Sequence, residues 1–278
     1  IAVSLGRLGL PVHFIGDFAN DKVGSIIKNF LIENRVDTSN ITMYSNAKSR
    51  IALAYLDENN NADYSFYKIR VEDELHIKFP ELNEDDILLF GSYYGIKPEI
   101  RPMVHDFLTK CRNNNVIIIY DPNFRKAHLN MIDIVKPFIE QNISLADITK
   151  GSDEDFLNVF NACSAEETFK KLFTIGCQSL IYTRNRRGVD FCRSDEQFHY
   201  PAIDLIPVST VGAGDTFTSG MAYWLYKNKI KQANISSLSE AQYKEMISTG
   251  VSFASDVCMS FDNYLSHQFI LGLERILD

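Results

Sequence analysis

Short apolar runs that recur between amphipathic stretches constrain this chain more than any other feature. ILLFG (87–91), VIIIYD (116–121), ISLADIT (143–149) and SLIYTR (179–184) are apolar on alternate and intervening positions alike, so each strand must be covered on both faces. Between them, helical spacing predicts helices across 99–113, about 130–141, about 153–161 and about 164–175, and GVDFCR (188–193) adds a further strand. Strands and helices in this order give a doubly wound α/β domain, whose ligands bind in the crevice beyond the carboxyl ends of the strands.

The flanking segments differ. A helical pattern at Ile1, Leu5 and Leu8 ends near Gly9–Leu10–Pro11, VHFIG (12–16) reads as a short strand, and Val23, Ile26, Ile27, Phe30 and Leu31 give a helix within 21–36. SRIALAYLDENNNADYSFYK (49–68) reads as a β-hairpin around a polar DENNNA turn. Its strands are apolar or aromatic on both faces; a lone hairpin is marginal in water, so it must lie against a partner subunit or a bound ligand. After Ser209 helices dominate. With 278 residues and 45% hydrophobic content the chain suits one large α/β domain, read here as a single unit over 1–278 with the hairpin inserted at about 47–70.

A net charge of −8, with no basic run beyond Arg184, Arg186 and Arg187, disfavours nucleic acid and leaves a small molecule as the expected ligand. Five scattered cysteines without metal-ligand spacing fit free thiols in a reducing cytoplasm. No apolar run reaches the roughly 18–20 residues of a membrane span, and no signal-peptide pattern opens the chain.

The stretch STVGAGDTFTSGMAYWL (209–225) carries the chemistry. No Lys-Ser or Lys-Thr follows its glycines, and Phe217 stands where a dinucleotide fingerprint needs its third glycine, so both common phosphate motifs are excluded. What remains is a helix start whose first turn carries Gly212, Ala213 and Gly214. There, backbone N–H groups and the helix dipole favour an anion such as a transferring phosphoryl group. Asp215 is either a dipole partner of that helix or a base that accepts a proton from an attacking hydroxyl. The Asp153–Glu154–Asp155 run by itself reads as a solvated helix start favoured by the dipole, and the arginine cluster as a solvated loop or as a guide for a nucleotide triphosphate.

With its flanks, Ser209-Thr210-Val211-Gly212-Ala213-Gly214-Asp215-Thr216-Phe217-Thr218-Ser219-Gly220 resembles D-T-x-G-A-G-D-x-F-x-x-G, the signature of the ribokinase-like (PfkB) carbohydrate kinase family. Other segments follow in family order. Ala2–Gly24 is similar to the N-terminal block, with Asp17 placed for sugar hydroxyls, and the hairpin occupies the place of the family's lid. YDPNFR (120–125) resembles the D-P-N-x-R segment of fructokinases and 2-keto-3-deoxygluconate kinases, which implies that Asn123 and Arg125 lie near the sugar or phosphate. ITKGSDEDF (148–156) is similar to the N/S-x-x-E metal-and-phosphate segment, with Ser152 and Asp155 in register and Glu154 as an alternative ligand. IYTRNRRGVDF (181–191) resembles T-x-G-x-x-G and implies a nucleotide role for Thr183 and Gly188, although Asn185 stands at a usual glycine. Ser209 replaces an Asp that helps many members hold a monovalent cation, which leaves K⁺ activation open. The family's first strand and its Gly-Gly-x-x-x-Asn sugar segment would precede Ile1.

The resemblance implies a ribokinase-like three-layer sandwich with a small β lid, binding ATP, Mg²⁺ and a sugar, and a homodimer clasped through Ile51, Leu53, Tyr55, Tyr64 and Phe66 of the lids. Asp215 would act as base beside the Gly212–Ala213–Gly214 anion hole, and the substrate would be a ketose such as fructose. The alternatives are a 2-keto-3-deoxygluconate kinase, a ribokinase, a nucleoside kinase, or a catalytically silent member that only binds.

Overall fold

The computed structural model describes residues 1–56, 62–67 and 76–277. In chain order the elements are α1 (Ala2–Arg7), β1 (Val12–His13), β2 (Gly16–Ala19), α2 (Lys22–Glu33), β3 (Val36–Asp37), β4 (Ile41–Tyr44), β5 (Ile51–Leu56) and β6 (Ala62–Tyr67). There follow β7 (Ile87–Gly91), α3 (Arg101–Asn113), β8 (Ile117–Asp121), α4 (Ile132–Leu145), β9 (Ile148–Ser152), α5 (Asp153–Phe160), α6 (Ala165–Phe173), β10 (Ser179–Thr183), β11 (Val189–Arg193) and β12 (Glu196–Tyr200). Three helices complete the series: α7 (Ala213–Lys227), α8 (Glu240–Cys258) and α9 (His267–Leu277). The chain divides into two compact units, one of Ile1–Pro80, Leu205–Tyr223 and Thr249–Asp278, the other of Glu81–Asp204 and Trp224–Ser248.

The second unit is built on a six-stranded sheet of order β12-β11-β10-β9-β8-β7. β7 to β10 are parallel, while β11 and β12 join antiparallel. Ile118, Ile119 and Tyr120 in β8 are completely buried, as their unbroken apolar run requires. Since β7, β8, β9 and β10 are laid down side by side in chain order, right-handed crossovers put α3, α4 and α6 on one face. Tyr243 of α8 covers the other, its ring 4.2 Å from that of Phe191 in β11. The strands end together at Gly91, Asp121, Ser152 and Thr183, with Gly91 opposite Asp121 and Ser152 opposite Thr183.

Three sequence expectations need correcting here. The strand expected over 143–149 is displaced: Ile143–Leu145 close α4, and β9 runs from Ile148 to Ser152. Val135, Ile139 and Ile143 share one buried helical face, so the apolar residues at 143–145 belong to the helix period. The strand proper contains Lys150, a buried charge that disguises it. VHFIG divides between β1 and β2, which pair with β3 and β4, two short strands without a legible pattern. β12 also goes unread, because its alternation of half-buried and exposed positions is that of a polar edge strand.

In the first unit, Leu31, Val36 and Ile41 form a small core against Phe14 and Phe18. Asp21 caps α2 by accepting the Gly24 N–H, and it also accepts from the Ser49 N–H (2.9 Å) and hydroxyl (2.7 Å) where the chain enters β5. Gly24 has no room for a side chain, since a Cβ would lie 2.0 Å from the Ala19 carbonyl oxygen. The hairpin pairs Ile51 with Tyr67 and Leu53 with Ser65, antiparallel. Its expected turn at 57–61 and the side chains of Tyr64 and Phe66 lie outside the described residues. Further along, α7 and α8 touch backbone to backbone, because a Cβ on Gly220 would stand 2.7 Å from the Gly250 Cα and one on Gly250 would stand 2.9 Å from the Phe217 ring.

Two outcomes follow. Gly220→Ala forces the two helices apart, and overpacking of this kind costs about 1–3 kcal/mol. Urea denaturation will show a lower midpoint at unchanged slope, whereas an unshifted midpoint would refute the tight approach. Donors from Gly24 and Ser49 hold the Asp21 carboxyl down at about 2, from an ordinary value of 3.8. The depressed acid contributes stability that is complete above its unfolded value and lost as pH falls through its folded one. The melting-point gap between wild type and Asp21→Ala will therefore be constant above about pH 5 and close as pH falls from about 4 towards 2. A gap that does not narrow in this window would show that Asp21 acts without its charge.

Candidate active site

In the first unit the glycine stretch is a helix entrance, with one adjustment: α7 begins at Ala213, and Gly212 precedes it rather than lying in its first turn. Gly212 has φ +85°, a conformation open to glycine, and a Cβ there would lie 2.8 Å from the Asn263 Cβ. The Gly212 carbonyl accepts the Thr216 N–H at 2.8 Å and so opens the helical ladder. The Ala213 N–H makes a long 3.3 Å bond to the Thr210 carbonyl, one that an incoming anion would replace.

Asp215 lies exposed in the first helical turn, at the positive end of the dipole. Directly after it the helix sinks into the interior: Thr216, Thr218 and Ser219 are buried, and Thr218 and Ser219 donate to the carbonyls of Gly214 and Asp215. Ser209 is buried with its Oγ accepting the Val211 N–H at 3.2 Å, a neutral oxygen where the resemblance expects a carboxylate. Elsewhere in the unit, Asp17 in β2 faces Arg50 at 3.4 Å, a cation that the sequence reading passed over because a lone Arg beside a hairpin carries no pattern.

The second unit gathers most of the remaining candidates at the carboxyl ends of β8, β9 and β10. Ser152 caps α5 in a reciprocal box with Asp155. One Asp155 oxygen accepts the Ser152 N–H (2.8 Å) and hydroxyl (2.6 Å), and the other accepts the Phe124 N–H at 2.6 Å. Asp155 thereby ties the Asp121–Arg125 turn to the start of α5. Both its oxygens are occupied by donors and it is buried, so it does not fit as a direct metal ligand. Glu154 is exposed and pairs with Lys126 at 3.3 Å. No cluster of three acids, histidines or cysteines suited to a metal occurs among the described residues.

Asn123 has φ +40° and its Nδ2 donates to the Ser92 Oγ at 2.9 Å, while Arg125 is exposed at the end of the same turn. Below them, Lys150 and Asp121 form an ion pair at 2.7 Å, with side chains only 5% and 11% exposed. Neither residue drew attention in the sequence, since Lys150 breaks the apolar pattern that marks a buried strand. Thr183 sits opposite Ser152 and donates to the Gly151 carbonyl at 3.2 Å. Gly188 closes the turn after β10 with φ +86°, and a Cβ would strike the Tyr200 carbonyl oxygen at 2.3 Å. Asn185, in place of a glycine, adopts φ +52° and keeps the turn. The arginine cluster is mostly spoken for: Arg184 pairs with Asp190 at 2.8 Å and Arg187 with Asp153 at 2.5 Å.

Residues 1–261 match the family model described as pfkB family carbohydrate kinase. The chain is similar to an ATP-dependent 6-phosphofructokinase of Thermoanaerobacterium thermosaccharolyticum, 24% identical over 237 residues that cover 82% of this chain and 70% of that protein. It is likewise similar to a fructokinase of Rhizobium leguminosarum bv. trifolii, 28% identical over 244 residues that cover 86% and 74%. The crystal structure of aminoimidazole riboside kinase from Salmonella enterica, complexed with aminoimidazole riboside and an ATP analog, shares the fold with a TM-score of 0.81 at 20% identity, over 100% of this chain and 89% of that one. A helix entrance built around Gly212–Asp215, a ribokinase-like mixed sheet and a family match over nearly the whole length lead to one conclusion: the chain belongs to the pfkB family of carbohydrate kinases and is a sugar kinase.

Proposed function

We propose that this sugar kinase transfers the γ-phosphoryl group of ATP to a primary hydroxyl of a ketose, with fructose as its best substrate. The observation that carries the reading is the exposed carboxylate of Asp215 in the first turn of a helix entered through a positive-φ glycine. A carboxylate there takes the hydroxyl proton as the oxygen attacks phosphorus, and the Gly212–Ala213–Gly214 amides with the helix dipole stabilise the charge on the transferring group. The fructokinase relative and the D-P-N-x-R likeness support the ketose, and the ATP analog bound to the riboside kinase supports the donor.

Asp17, with Arg50 holding its carboxylate, and Asn123 and Arg125 are assigned to sugar and phosphate oxygens. Thr183, Gly188 and Ser152 are assigned to the nucleotide. Glu154 would hold Mg²⁺, which when bound would supply charge neutralisation on the triphosphate. Ser209 offers no charge to a monovalent cation, and no step is assigned to one.

Asp215→Asn preserves shape and removes the base, so kcat should fall by about 10²–10⁴ with KM for ATP and sugar little changed. Near wild-type kcat would sink the mechanism. On a panel of fructose, fructose 6-phosphate, ribose, 2-keto-3-deoxygluconate and nucleosides, fructose should give the highest kcat/KM. A better phosphosugar, keto acid or nucleoside would replace the ketose and keep the kinase, while no turnover despite bound nucleotide would favour a silent binding protein.

The hairpin face that carries Ile51, Leu53, Tyr55 and Tyr67 exposes each of them by 43–57%. Cross-strand pairing puts Ile51 and Tyr67 side by side on this face, with Leu53 next along β5. Apolar surface of this kind is assigned to a second copy of the chain. Light scattering at micromolar concentration should give a dimer for the wild type and a monomer for Leu53→Glu; a monomeric wild type would dispose of the clasp.

A further inference from the structure

Where β7 leaves the sheet, Ser92 adopts φ +51° and ψ −165°. This is a region that glycine occupies and that residues with a Cβ enter only under strain. The preceding Gly91 is pressed so tightly against β8 that a Cβ on it would lie 1.7 Å from the Asp121 carbonyl oxygen. The same carbonyl accepts the Ser92 N–H at 3.0 Å, which fixes the strained residue in place. A glycine would fill this position without strain and would keep that backbone bond. What serine adds is its hydroxyl, and the Oγ accepts the Asn123 Nδ2 at 2.9 Å. Asn123 itself has φ +40°. Two positive-φ residues, on adjacent strand ends, are therefore locked together through their side chains at the end of the sheet where ligands bind.

We propose that Ser92 is a positioning residue for the sugar, its hydroxyl orienting the Asn123 amide. With Nδ2 engaged by Ser92, the Asn123 Oδ1 is left as an acceptor for a ligand hydroxyl. An acceptor held in one direction matches a hydroxyl of a sugar. Both residues are only half-buried, so a ligand reaches them. The turn is tied down beneath this pair, because Lys150 donates to the Asp121 carboxylate and Asp155 accepts the Phe124 N–H. The hydrogen bond to Ser92 thus sets the direction in which the Asn123 amide points. The inference rests on the reading of Asn123 as a sugar-facing residue.

The test separates strain from orientation in full-length protein. Ser92→Gly relieves the backbone and removes the hydroxyl, so the thermal midpoint should rise by roughly 2–4 °C while KM for fructose rises about tenfold. KM for ATP and kcat should change less than about twofold. Ser92→Ala removes the hydroxyl and keeps the strain; it should show the same KM without the gain in midpoint. In an Asn123→Ala background, Ser92→Gly should leave KM for fructose unchanged, because its partner is gone. If Asn123→Ala raises KM and Ser92→Gly does not, the inference fails and the reading of Asn123 stands. If Asn123→Ala leaves the kinetics of every sugar untouched, the reading of Asn123 fails and takes the inference with it. A Ser92→Gly protein with both lower stability and raised KM for ATP would mark Ser92 as merely structural.

Discussion

A lysine and an aspartate stand where the surrounding pattern asks for apolar residues. Lys150 in β9 and the last residue of β8, Asp121, meet at 2.7 Å inside an otherwise apolar sheet. Burial of both charges is expensive, and such a pair contributes less to stability than well-packed hydrocarbon of the same size. What it supplies here is position. The pair fastens the ends of β8 and β9 to each other at the point where the turn from Asp121 to Arg125 leaves the sheet. Asp155 then fastens the Phe124 N–H, and Ser92 fastens the Asn123 side chain. Each of these bonds joins residues about thirty apart in sequence, so each depends on strand ends that the folded sheet brings together.

Glycines do the corresponding work by letting backbones approach. Of those in the family signature, Gly212 provides a positive φ at the entrance of α7, and Gly220 allows α7 to meet Gly250 of α8 at backbone distance. The signature therefore combines two demands on one helix. Its first turn must be open to an anion, and its second must be narrow enough to pack against a neighbour. Asp215 lies between them, exposed where the buried residues begin.

Much of this was legible in the residues. The order of strands and helices followed from apolar runs of strand length separated by helical periodicity, and the chemistry followed from GAGD with its flanks. The misreadings share a cause. β9 was placed early because Ile143–Leu145 are apolar and Lys150 is charged, yet the former complete a helix face and the latter finds its counter-charge only across the sheet. The resemblance makes Asp155 a metal candidate, and in the folded chain its two oxygens accept from Ser152 and Phe124. Arg50 and Ser92 have no pattern at all, since each gains meaning only from a partner that folding brings to it.

The sequence by itself determined the family, the alternation that builds the sheet, and the helix entrance at Gly212–Asp215, because each depends on residues close together in the chain. Tertiary structure alone decided what those residues touch. It made Asp155 a fastening, gave Lys150 a buried partner and put a strained serine beside Asn123. Hydrogen bonds and charge pairs act over a few ångströms, and no local period records which distant strand end will arrive within that range.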